Sequence, residues 1–415
     1  MDIAVIGYGV VGSGVAEVVR KNSRSIESRA GEPIRVKRIL DIKDIPDGPD
    51  GELLTKNPDD VFNDPDIRVI VETIGGTKIA YEYTKRAFKA GKHVVTSNKE
   101  LVASYGPELL KMAAENGVNY LFEASVGGGI PIIRPLNRCL AANVINGITG
   151  ILNGTTNYIL SQMRKEGRDF EEALKSAQQN GYAEANPAAD IEGLDTCRKI
   201  AILSSIAYNQ FIDYKNIYTE GIKNITSADM QYAEAMDSVI KLVAVSRREG
   251  ERVFARVSPV ILSREHPLAN VEDVFNAIVV SGDAIGDVMF YGRGAGKLPT
   301  ASAVVADIID IARRVESGAG DIWVRKEYNN MVPLEESETR YFVRAAVRNG
   351  REAAGLIEKV FGKADYIDLG RKESEDEIAF TTSKASESRL SECVSKLGKA
   401  GSVREVINVI RIEGM

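Results

Sequence analysis

The first 125 residues alternate short apolar runs with longer segments of helical periodicity. The apolar runs predict buried strands at 3–6, 34–40, 69–71, 93–96 and 119–122. Helical spacing covers 80–90 and 107–116, and each segment is followed by a glycine that can close a helix, Gly91 or Gly117. Buried strands separated by helices predict a Rossmann-type, doubly wound parallel sheet over 1–125, with the substrate beyond the carboxyl ends of its strands.

The pattern changes after residue 126. Helices are predicted at 169–180, where Asp169 and Glu172 form a capping box, and at 194–208. Strand-like runs follow at 239–245, 253–262, 277–281 and 287–291. These elements predict a second α+β domain over 126–320, whose helix at about 299–316 returns to pack on the first domain. After a polar connector at 317–337, the order βαββαβ over 338–415 predicts a small ferredoxin-like unit.

A glycine-rich turn directly follows the first predicted strand. Gly7, Gly9 and Gly12 form the pattern GxGxxG, which opens a helix-like segment. In this order the glycines allow a sharp turn, a close approach of backbone N–H groups to a pyrophosphate, and tight packing of the helix on the strand. The helix amino terminus adds partial positive charge. The turn therefore predicts a dinucleotide site.

Composition narrows the class of protein. The chain has 415 residues, 44% of them hydrophobic, and a net charge of -6, which is typical of a soluble globular protein and disfavours a nucleic-acid surface. No apolar run is long enough to span a membrane, and a strand starting at residue 2 or 3 leaves no room for a leader peptide. Cys139, Cys197 and Cys393 are widely spaced and suggest neither disulfides nor zinc, so a reducing cytoplasm is the expected location.

Histidine is scarce. His93 lies at the start of a predicted strand, and His266 precedes a proline in a polar turn. Neither position favours a catalytic triad or a metal site, and both side chains are expected to be structural. Proton chemistry is therefore expected to depend on lysine, aspartate or glutamate.

The densest polar cluster extends from residue 181 to residue 199. Glu184 and Asp190 lie in a loop, and Asp195 and Lys199 follow four residues apart on one helix face. Such a pair is usually a solvated ion pair that contributes little. Here the helix continues as the apolar run 200–203, which favours burial of the lysine beside an acidic partner.

Three further features are candidates for binding. Lys99 follows a strand end at a helix amino terminus, where the helix dipole disfavours a cation, so a bound carboxylate would explain it better than a surface position. The turn 153–158 is either an ordinary helix cap or a site for a small anionic or hydroxylated group. Gly181 is either a helix cap or a residue beneath a nicotinamide. Cys197 adjoins the cluster but is given no role.

Several blocks, in this order, resemble the homoserine dehydrogenase family over about residues 1–320. They are GYGVVG, VIVETIGG, GKHVVTSNK, EASVGGGIPII, GILNGTTNYIL, GYAEANPAADIEGLDTCRKIAIL and GRGAGKLPTASAVVADI. The tail from about 338 resembles an ACT domain, an amino-acid-sensing unit often attached to that enzyme. With no aspartate kinase segment before the first strand, the monofunctional form is expected.

The resemblance implies NAD(P)-linked interconversion of L-homoserine and L-aspartate 4-semialdehyde, within threonine, methionine and isoleucine synthesis. It implies that Lys199 is the proton donor and that Lys99 assists beside the substrate carboxylate and the nicotinamide. Asp195, Glu184, Tyr182, Thr155 and Asp190 would hold the substrate. The cofactor would contact Gly7, Tyr8, Gly9, Val10, Val11, Gly12, Thr73, Ser97, Lys99, Gly181 and Gly296. Sodium would bind Glu123 and the carbonyls of Val126, Gly128 and Ile130, since oxygen ligands suit a hard cation.

Two departures leave alternatives open. Asp41 after the second strand favours NAD, whereas Lys43 nearby favours NADP. In the tail, the effector loop expected of an ACT domain retains only Gly355, so threonine inhibition and a purely structural tail are both compatible with the sequence.

Two other functions are compatible with parts of the sequence. One is an NAD(P)-binding amino-acid sensor without turnover, and the other is a dehydrogenase of another small amino-acid aldehyde. A sensor has no need for Glu184, Asp195 and Lys199 together. A homodimer or homotetramer is expected, because the sheet of the middle domain offers a free edge.

Overall fold

The computed structural model describes residues 1–45, 48–313, 323–324, 330–370 and 376–414. Packing divides the chain into two compact units. Unit 1 comprises Met1–Asn146, Arg198–Asn216 and Val280–Asn329, and unit 2 comprises Gly147–Cys197, Ile217–Val279 and Asn330–Met415. The chain therefore passes between the units several times.

Unit 1 is built on a parallel sheet. Its elements up to residue 121 are β1 (Asp2–Ile6), α1 (Val10–Lys21), α2 (Ser23–Ala30), β2 (Arg35–Leu40), β3 (Leu54–Thr55), α3 (Asp59–Phe62), β4 (Ile67–Glu72), α4 (Lys78–Lys89), β5 (His93–Thr96), α5 (Lys99–Glu115) and β6 (Tyr120–Leu121). The strand order is β3-β2-β1-β4-β5-β6, and each pairing is parallel. The predicted Rossmann-like sheet is confirmed, with β3 as an added edge strand.

One predicted boundary in this sheet domain is wrong. Helix α5 begins at Lys99, eight residues before the predicted start at Pro107, which lies inside the helix. The physical start signal is Asn98, whose side-chain oxygen accepts the Leu101 N–H at 3.0 Å. Proline removes one helical hydrogen bond, but here the helix continues through it.

The remaining elements in chain order are β7 (Ile145–Ile151), α6 (Gly154–Glu166), α7 (Phe170–Gln179), α8 (Ala188–Ile191), α9 (Leu194–Ala207), β8 (Tyr218–Thr219), α10 (Ser227–Ala235), β9 (Ser238–Glu249), β10 (Arg252–Ser263), β11 (Phe275–Gly282), β12 (Gly286–Arg293), α11 (Lys297–Ala312), β13 (Glu338–Val347), α12 (Gly350–Phe361), β14 (Ala364–Tyr366), β15 (Glu377–Thr382), β16 (Ala385–Ser386), α13 (Glu387–Gly398) and β17 (Val403–Glu413). The capping prediction for α7 is confirmed, because Asp169 accepts the Glu172 N–H at 2.9 Å. Strand β7 was not predicted.

Helix α11 packs against α1, and both helices belong to unit 1. A Cβ atom on Gly14 of α1 would lie 2.8 Å from the Lys297 carbonyl oxygen and 3.1 Å from the Ala301 Cβ. The two helices therefore approach at a glycine, and an ion pair between Lys297 and Glu17 (2.7 Å) supports the contact. The predicted end of this helix, 314–316, lies outside the described residues.

A second, mixed sheet has the strand order β12-β11-β7-β9-β10-β17-β13-β15-β14 among the described residues, with β8 beside β10 and β16 beside β13. Strands β9 and β10 form a long antiparallel hairpin. The elements from β13 to β17 follow the predicted βαββαβ order with one addition, the two-residue strand β16 before α13. Its last strand pairs in parallel with β10 through Val260–Arg411, Ile261–Ile412 and Leu262–Glu413, so the tail extends the sheet.

Both histidines make local backbone contacts. His93 Nδ1 accepts the Asn119 N–H at 2.9 Å, and burial lowers the pKa of this imidazole. His266 Nδ1 accepts the Leu268 N–H at 3.2 Å. These contacts agree with the structural roles expected for both.

The predicted connector 317–337 lies largely outside the described residues.

Candidate active site

The glycine turn between β1 and α1 has the geometry of a dinucleotide loop. Gly7 has a φ of +91°, a conformation that L side chains rarely adopt. A Cβ atom on Gly12 would lie only 2.0 Å from the Gly7 carbonyl oxygen. The Thr73 hydroxyl donates to that same carbonyl at 2.7 Å. The turn thus brings together Gly7, Gly12 and Thr73 of the predicted cofactor set, with Tyr8, Gly9, Val10 and Val11 between them.

The end of β2 lies against this turn. Asp41 Oδ2 accepts the Tyr8 N–H at 2.6 Å, and Asp41 Oδ1 accepts the Lys43 N–H at 2.8 Å. The Tyr8 hydroxyl donates to Asp50 at 2.6 Å, and burial followed by this bond raises the pKa of Tyr8 to about 12. Arg20 is paired with the same Asp50 at 2.5 Å. An acid is therefore fixed beside the loop, while the nearby arginine is already paired.

Ser97 and Lys99 lie at the carboxyl end of β5, where α5 begins. The Lys99 N–H donates to the Ser97 carbonyl at 3.1 Å. Glu100, the next residue, forms an ion pair with Arg198 at 2.8 Å. Arg198 immediately precedes Lys199 in α9, so this ion pair joins the segments that carry the two predicted catalytic lysines.

Helix α9 carries Asp195 and Lys199, one turn apart. The Asp195 residue is 3% exposed and Lys199 is 8% exposed. Charged groups are rarely this buried unless they are paired. The helix therefore has the burial that the apolar run at 200–203 predicted.

In unit 2, a single amide connects two predicted carboxylates. Asn153 Nδ2 donates to Asp190 Oδ1 at 2.7 Å and to Asp195 Oδ2 at 2.9 Å. Its Oδ1 accepts the Thr156 N–H at 2.8 Å, which caps α6. Asn153 is therefore both a helix cap and part of the polar site. Sequence reasoning noted its turn but did not select this residue, because the contacts to 190 and 195 depend on tertiary folding.

The other predicted substrate residues lie in two places: Thr155 is in the first turn of α6, and Tyr182 and Glu184 are on the loop after α7. The Thr155 hydroxyl donates to the Tyr182 carbonyl at 2.5 Å, and Gln178 Nε2 donates to the Glu184 carbonyl at 3.2 Å. Glu184 and Tyr182 are exposed. Gly181 has a φ of +73° directly after α7, which is the conformation of a helix-ending glycine.

The loop 126–130 contacts the segment that contains Gly296. A Cβ atom on Gly128 would lie 2.5 Å from the Gly294 carbonyl oxygen, and the Gly129 N–H donates to the Arg293 carbonyl at 3.1 Å. Gly296 itself precedes α11, whose first turn packs on α1. Unit 1 therefore gathers the glycine turn, Gly296 and the predicted cation loop.

Glu123 organises the predicted cation loop. This residue is 3% exposed, and its carboxylate accepts the N–H groups of Ile132, Ile133 and Arg134 at 2.6, 2.8 and 2.7 Å. A carboxylate has about four lone-pair sites, so one remains. Within the described chain, no hydrogen bond ends on the carbonyls of Val126, Gly128 or Ile130. One carboxylate site and three carbonyls fit a hard cation.

Arg134 and Asp307 complete this buried cluster. Arg134 pairs with Asp307 at 2.8 Å and with Asp310 at 2.6 Å. Burial and then the charge of Glu123 raise the pKa of Asp307 well above its usual value. A cavity of about 550 Å³ adjoins the cluster and is lined by residues that include Phe122 and Trp323, but by none of the predicted cofactor residues.

Family models match most of the chain. Residues 7–123 match "Homoserine dehydrogenase, NAD binding domain", and residues 131–309 match "Homoserine dehydrogenase". The first range contains the glycine turn, and the second contains α9 with Lys199. The chain belongs to the homoserine dehydrogenase family.

Full-length relatives agree with this assignment. A homoserine dehydrogenase of Bacillus subtilis is 37% identical over 426 residues, covering 99% of this chain and 98% of the relative. One of Neisseria gonorrhoeae is 38% identical, covering 100% of this chain and 99% of the relative. The crystal structure of a homoserine dehydrogenase from Thiobacillus denitrificans has a TM-score of 0.90 at 38% identity, covering 100% of this chain and 98% of that chain.

Membership of the homoserine dehydrogenase family makes the protein an oxidoreductase with a nicotinamide-binding domain. The alternative of a sensor without turnover is set aside on this ground. In the described part of the chain, no helix is both long and apolar enough to cross a membrane.

Proposed function

We propose that the protein interconverts L-homoserine and L-aspartate 4-semialdehyde with NAD(P), as a homoserine dehydrogenase of threonine, methionine and isoleucine synthesis. The observation that carries the substrate assignment is the full-length likeness to homoserine dehydrogenases, at 37–38% identity, over both the nicotinamide and the α9 regions. The geometry of the site supports distinct roles for its residues, one as proton donor and the others in orienting the substrate.

Lys199 is the proton donor in this proposal. A nicotinamide held at the glycine turn would supply or accept the hydride at the carbon that bears the oxygen. In the reductive direction, the Lys199 ammonium donates its proton to the aldehyde oxygen as the alcohol forms, and in the oxidative direction the amine takes it back. Burial of Lys199 limits access of competing water, and Asp195 is the acid nearest along the helix.

The remaining polar residues orient the substrate. Asp195 and Glu184 hold its hydroxyl and amino groups, and Lys99 faces its carboxylate. Asp190, Tyr182 and Thr155 complete the pocket. Support comes from the Asn153 bridge, which fixes Asp190 and Asp195 in one arrangement. Such fixed polar groups lower the orientational cost of the reaction.

The direct test uses the full-length protein with L-homoserine and either NAD or NADP. Absorbance of the reduced nicotinamide should rise with time, and aspartate 4-semialdehyde with NADH or NADPH should give the reverse change. A folded protein that turns over neither pair would refute the proposal. Turnover of another amino-acid aldehyde at a higher kcat/KM would reassign the substrate.

We propose that NAD is preferred over NADP. Asp41 is held beside the glycine turn, where an acid suits a ribose 2′-hydroxyl and repels a 2′-phosphate. The nearby Arg20 is paired with Asp50. A related archaeal homoserine dehydrogenase, 28% identical, has been solved in complex with NADPH, which makes NADP the competing outcome.

Asp41→Asn should lower kcat/KM for NAD relative to that for NADP by about 10- to 100-fold, because the like-charge repulsion of the 2′-phosphate is removed. Steady-state kinetics with both cofactors measure this ratio. Asp44→Asn is the matched control, since this exposed acid is paired with Lys56 and should leave the ratio unchanged. A wild-type preference for NADP would overturn the cofactor assignment and leave the reaction intact.

We propose that sodium binds Glu123 and the carbonyls of Val126, Gly128 and Ile130. The support is an oxygen-only donor set with an available carboxylate site. Such an ion would fix the loop that contacts the Gly294 segment. Replacing sodium by choline at constant ionic strength should lower the thermal midpoint of unfolding and the activity, whereas unchanged values would contradict the site.

We propose a homo-oligomer, at least a dimer, that uses the outer strand β12. This strand ends the second sheet and carries exposed Met289, with exposed Ile285 in the preceding turn. Light scattering should give at least twice the 45.2 kDa mass of the chain. Met289→Glu should shift this toward the monomer, and a monomeric wild type would refute the interface.

For the tail 338–415, we propose an ACT-like unit. Its βαββαβ order and the sheet order β17-β13-β15-β14 support this class. Calorimetric titration with threonine measures whether the tail binds this amino acid or has only a structural role.

We also propose a cytoplasmic location, supported by three free cysteines among the described residues, and fractionation would test it.

A further inference from the structure

A buried carboxylate lies at the carboxyl end of β4 and is not used by the chemistry above. Glu72 is 1% exposed. Its Oε2 accepts the Thr96 hydroxyl at 2.5 Å, and its Oε1 accepts the Ile74 N–H at 2.7 Å. These contacts join the ends of two neighbouring strands, β4 and β5, where the predicted cofactor crevice begins.

The two hydrogen bonds belong to a closed ring of four. The Asn98 N–H donates to Thr96 Oγ1 at 2.9 Å, and Asn98 Nδ2 donates to the Ile74 carbonyl at 3.1 Å. The ring therefore runs from Glu72 through Thr96, Asn98 and Ile74 back to Glu72. Each bond has one donor and one acceptor, and the arrangement requires Glu72 to accept twice. We call these four residues the Glu72 ring.

The Glu72 ring holds two segments that carry predicted site residues. The first is the loop 73–76, which begins with Thr73 and is tied again by a bond from Asn98 Nδ2 to the Gly76 carbonyl at 2.7 Å. The second is α5, which begins at Lys99 and is capped by Asn98. Displacing one ring member would therefore move both the cofactor loop and the helix that positions Lys99.

The protonation state of Glu72 makes the hydrogen bonds of the ring depend on pH. Burial raises the pKa of Glu72 to about 7, although the bonds from Thr96, Ile74 and Asn98 oppose this shift. Among the described residues, no cation contributes to it. Tyr120 of β6 is the titratable neighbour, since burial and then the Glu72 charge raise its pKa. Above pH 7 the carboxylate accepts one bond on each oxygen. Below pH 7 one oxygen carries a proton and becomes a donor, so the ring can no longer keep both bonds in their present direction.

We propose that Glu72 is a positioning residue that fixes the cofactor loop 73–76 and the Lys99 end of α5 through the Glu72 ring, and that its protonation loosens nicotinamide binding. This inference rests on the proposed nicotinamide function, but its readout does not require turnover. Titration of the full-length protein with NADH, followed by NADH fluorescence, measures the cofactor Kd directly.

The first experiment removes the two ring bonds of the Thr96 hydroxyl with little change in side-chain volume. Thr96→Val removes the donor to Glu72 and the acceptor of Asn98, and should raise the NADH Kd about tenfold or more, because the buried partners lose their bonds. Thr96→Ser keeps the hydroxyl and should restore most of the affinity. Thr84→Val is the control, because this buried hydroxyl has no hydrogen-bond partner among the described atoms and lies outside the ring.

The second experiment measures pH dependence. The wild-type NADH Kd should increase as pH falls from 8 to 6, with a midpoint near the Glu72 pKa of about 7. Glu72→Gln has an amide NH2 donor in place of one accepting oxygen at every pH, so its Kd should be raised at pH 8 and nearly constant from 8 to 6. In turnover, kcat should fall together with affinity, because Lys99 is displaced as well.

Two outcomes would overturn the inference. One is a Thr96→Val protein whose NADH Kd equals that of Thr84→Val, and the other is a Glu72→Gln protein that keeps the wild-type pH dependence. Circular dichroism confirms that each variant is folded. A wild-type protein that binds NADH but oxidises no homoserine would refute the proposed reaction and still permit both binding tests. The two failures are therefore distinguishable.

Discussion

Replacing Lys199 by methionine should lower kcat for homoserine oxidation by about 10²- to 10⁴-fold, with the NADH Kd within about twofold of wild type. The loss corresponds to about 3–5 kcal/mol of transition-state stabilisation. Lys199 is buried in α9, and methionine keeps an unbranched side chain of similar length, so the helix should fold. Stopped-flow absorbance and NADH titration measure the two quantities.

A second lysine-to-methionine variant shows whether the loss of kcat is specific to position 199 or follows from the loss of any positive charge. Lys215 is exposed in the same unit, and Lys215→Met should leave kcat unchanged. With homoserine deuterated at the reacting carbon, Lys199→Met should also show a larger isotope effect on kcat than wild type, because chemistry becomes slower than product release. Parallel loss of activity and NADH binding would instead mean that Lys199 is structural.

The two lysines are held by a continuous set of contacts in unit 1. The Glu72 ring fixes Asn98 and therefore the start of α5, and Glu100 in the first turn of α5 pairs with Arg198. Arg198 precedes Lys199. Positions set by buried hydrogen bonds and an ion pair need little reorganisation during reaction, which is how a preorganised site lowers a barrier.

The local features of the fold could be predicted from sequence. β5 was predicted at its observed bounds, and β1, β2 and β4 within two residues, because short apolar runs between turns leave few alternatives. The glycine turn was predictable because its residues are contiguous. The predicted start of α5 at Pro107 is wrong: proline suits a first helical position, but here the Asn98 cap determines where the helix begins.

Contacts between distant residues could not be predicted in the same way. Asn153 reaches Asp190 and Asp195 across about 40 residues of chain, and no local pattern specifies that meeting. The pairing of β17 with β10 is another case. The element order of the tail predicts a domain at 338–415, but no local pattern specifies that its last strand pairs with β10 of the β9–β10 hairpin. The strand with which the tail pairs is therefore set by tertiary packing and not by the local sequence.

Arg411→Met should lower the free energy of unfolding of unit 2 by about 3–5 kcal/mol. Arg411 on β17 makes two bonds to the Glu387 carboxylate, at 2.6 and 3.1 Å, and one to Glu220 at 2.8 Å. Glu387 is 2% exposed, so removing the arginine leaves a buried acid with a bond from Tyr341 and the more distant Arg256, at 3.9 Å. Urea unfolding followed by circular dichroism measures the change.

The double variant Arg411→Met with Glu387→Leu separates two contributions to the lost stability: the unpaired charge of Glu387 and the lost packing of the arginine side chain. If the cost comes from the uncompensated buried acid, the double variant should recover most of the lost stability, because an apolar pair of similar volume often replaces a buried ion pair without loss. A double variant no more stable than Arg411→Met would mean that the strand pairing needs the arginine for its shape. In that case β17 would join β10 through packing around the guanidinium, and the tail would be attached to the sheet without any contribution from the ion pair.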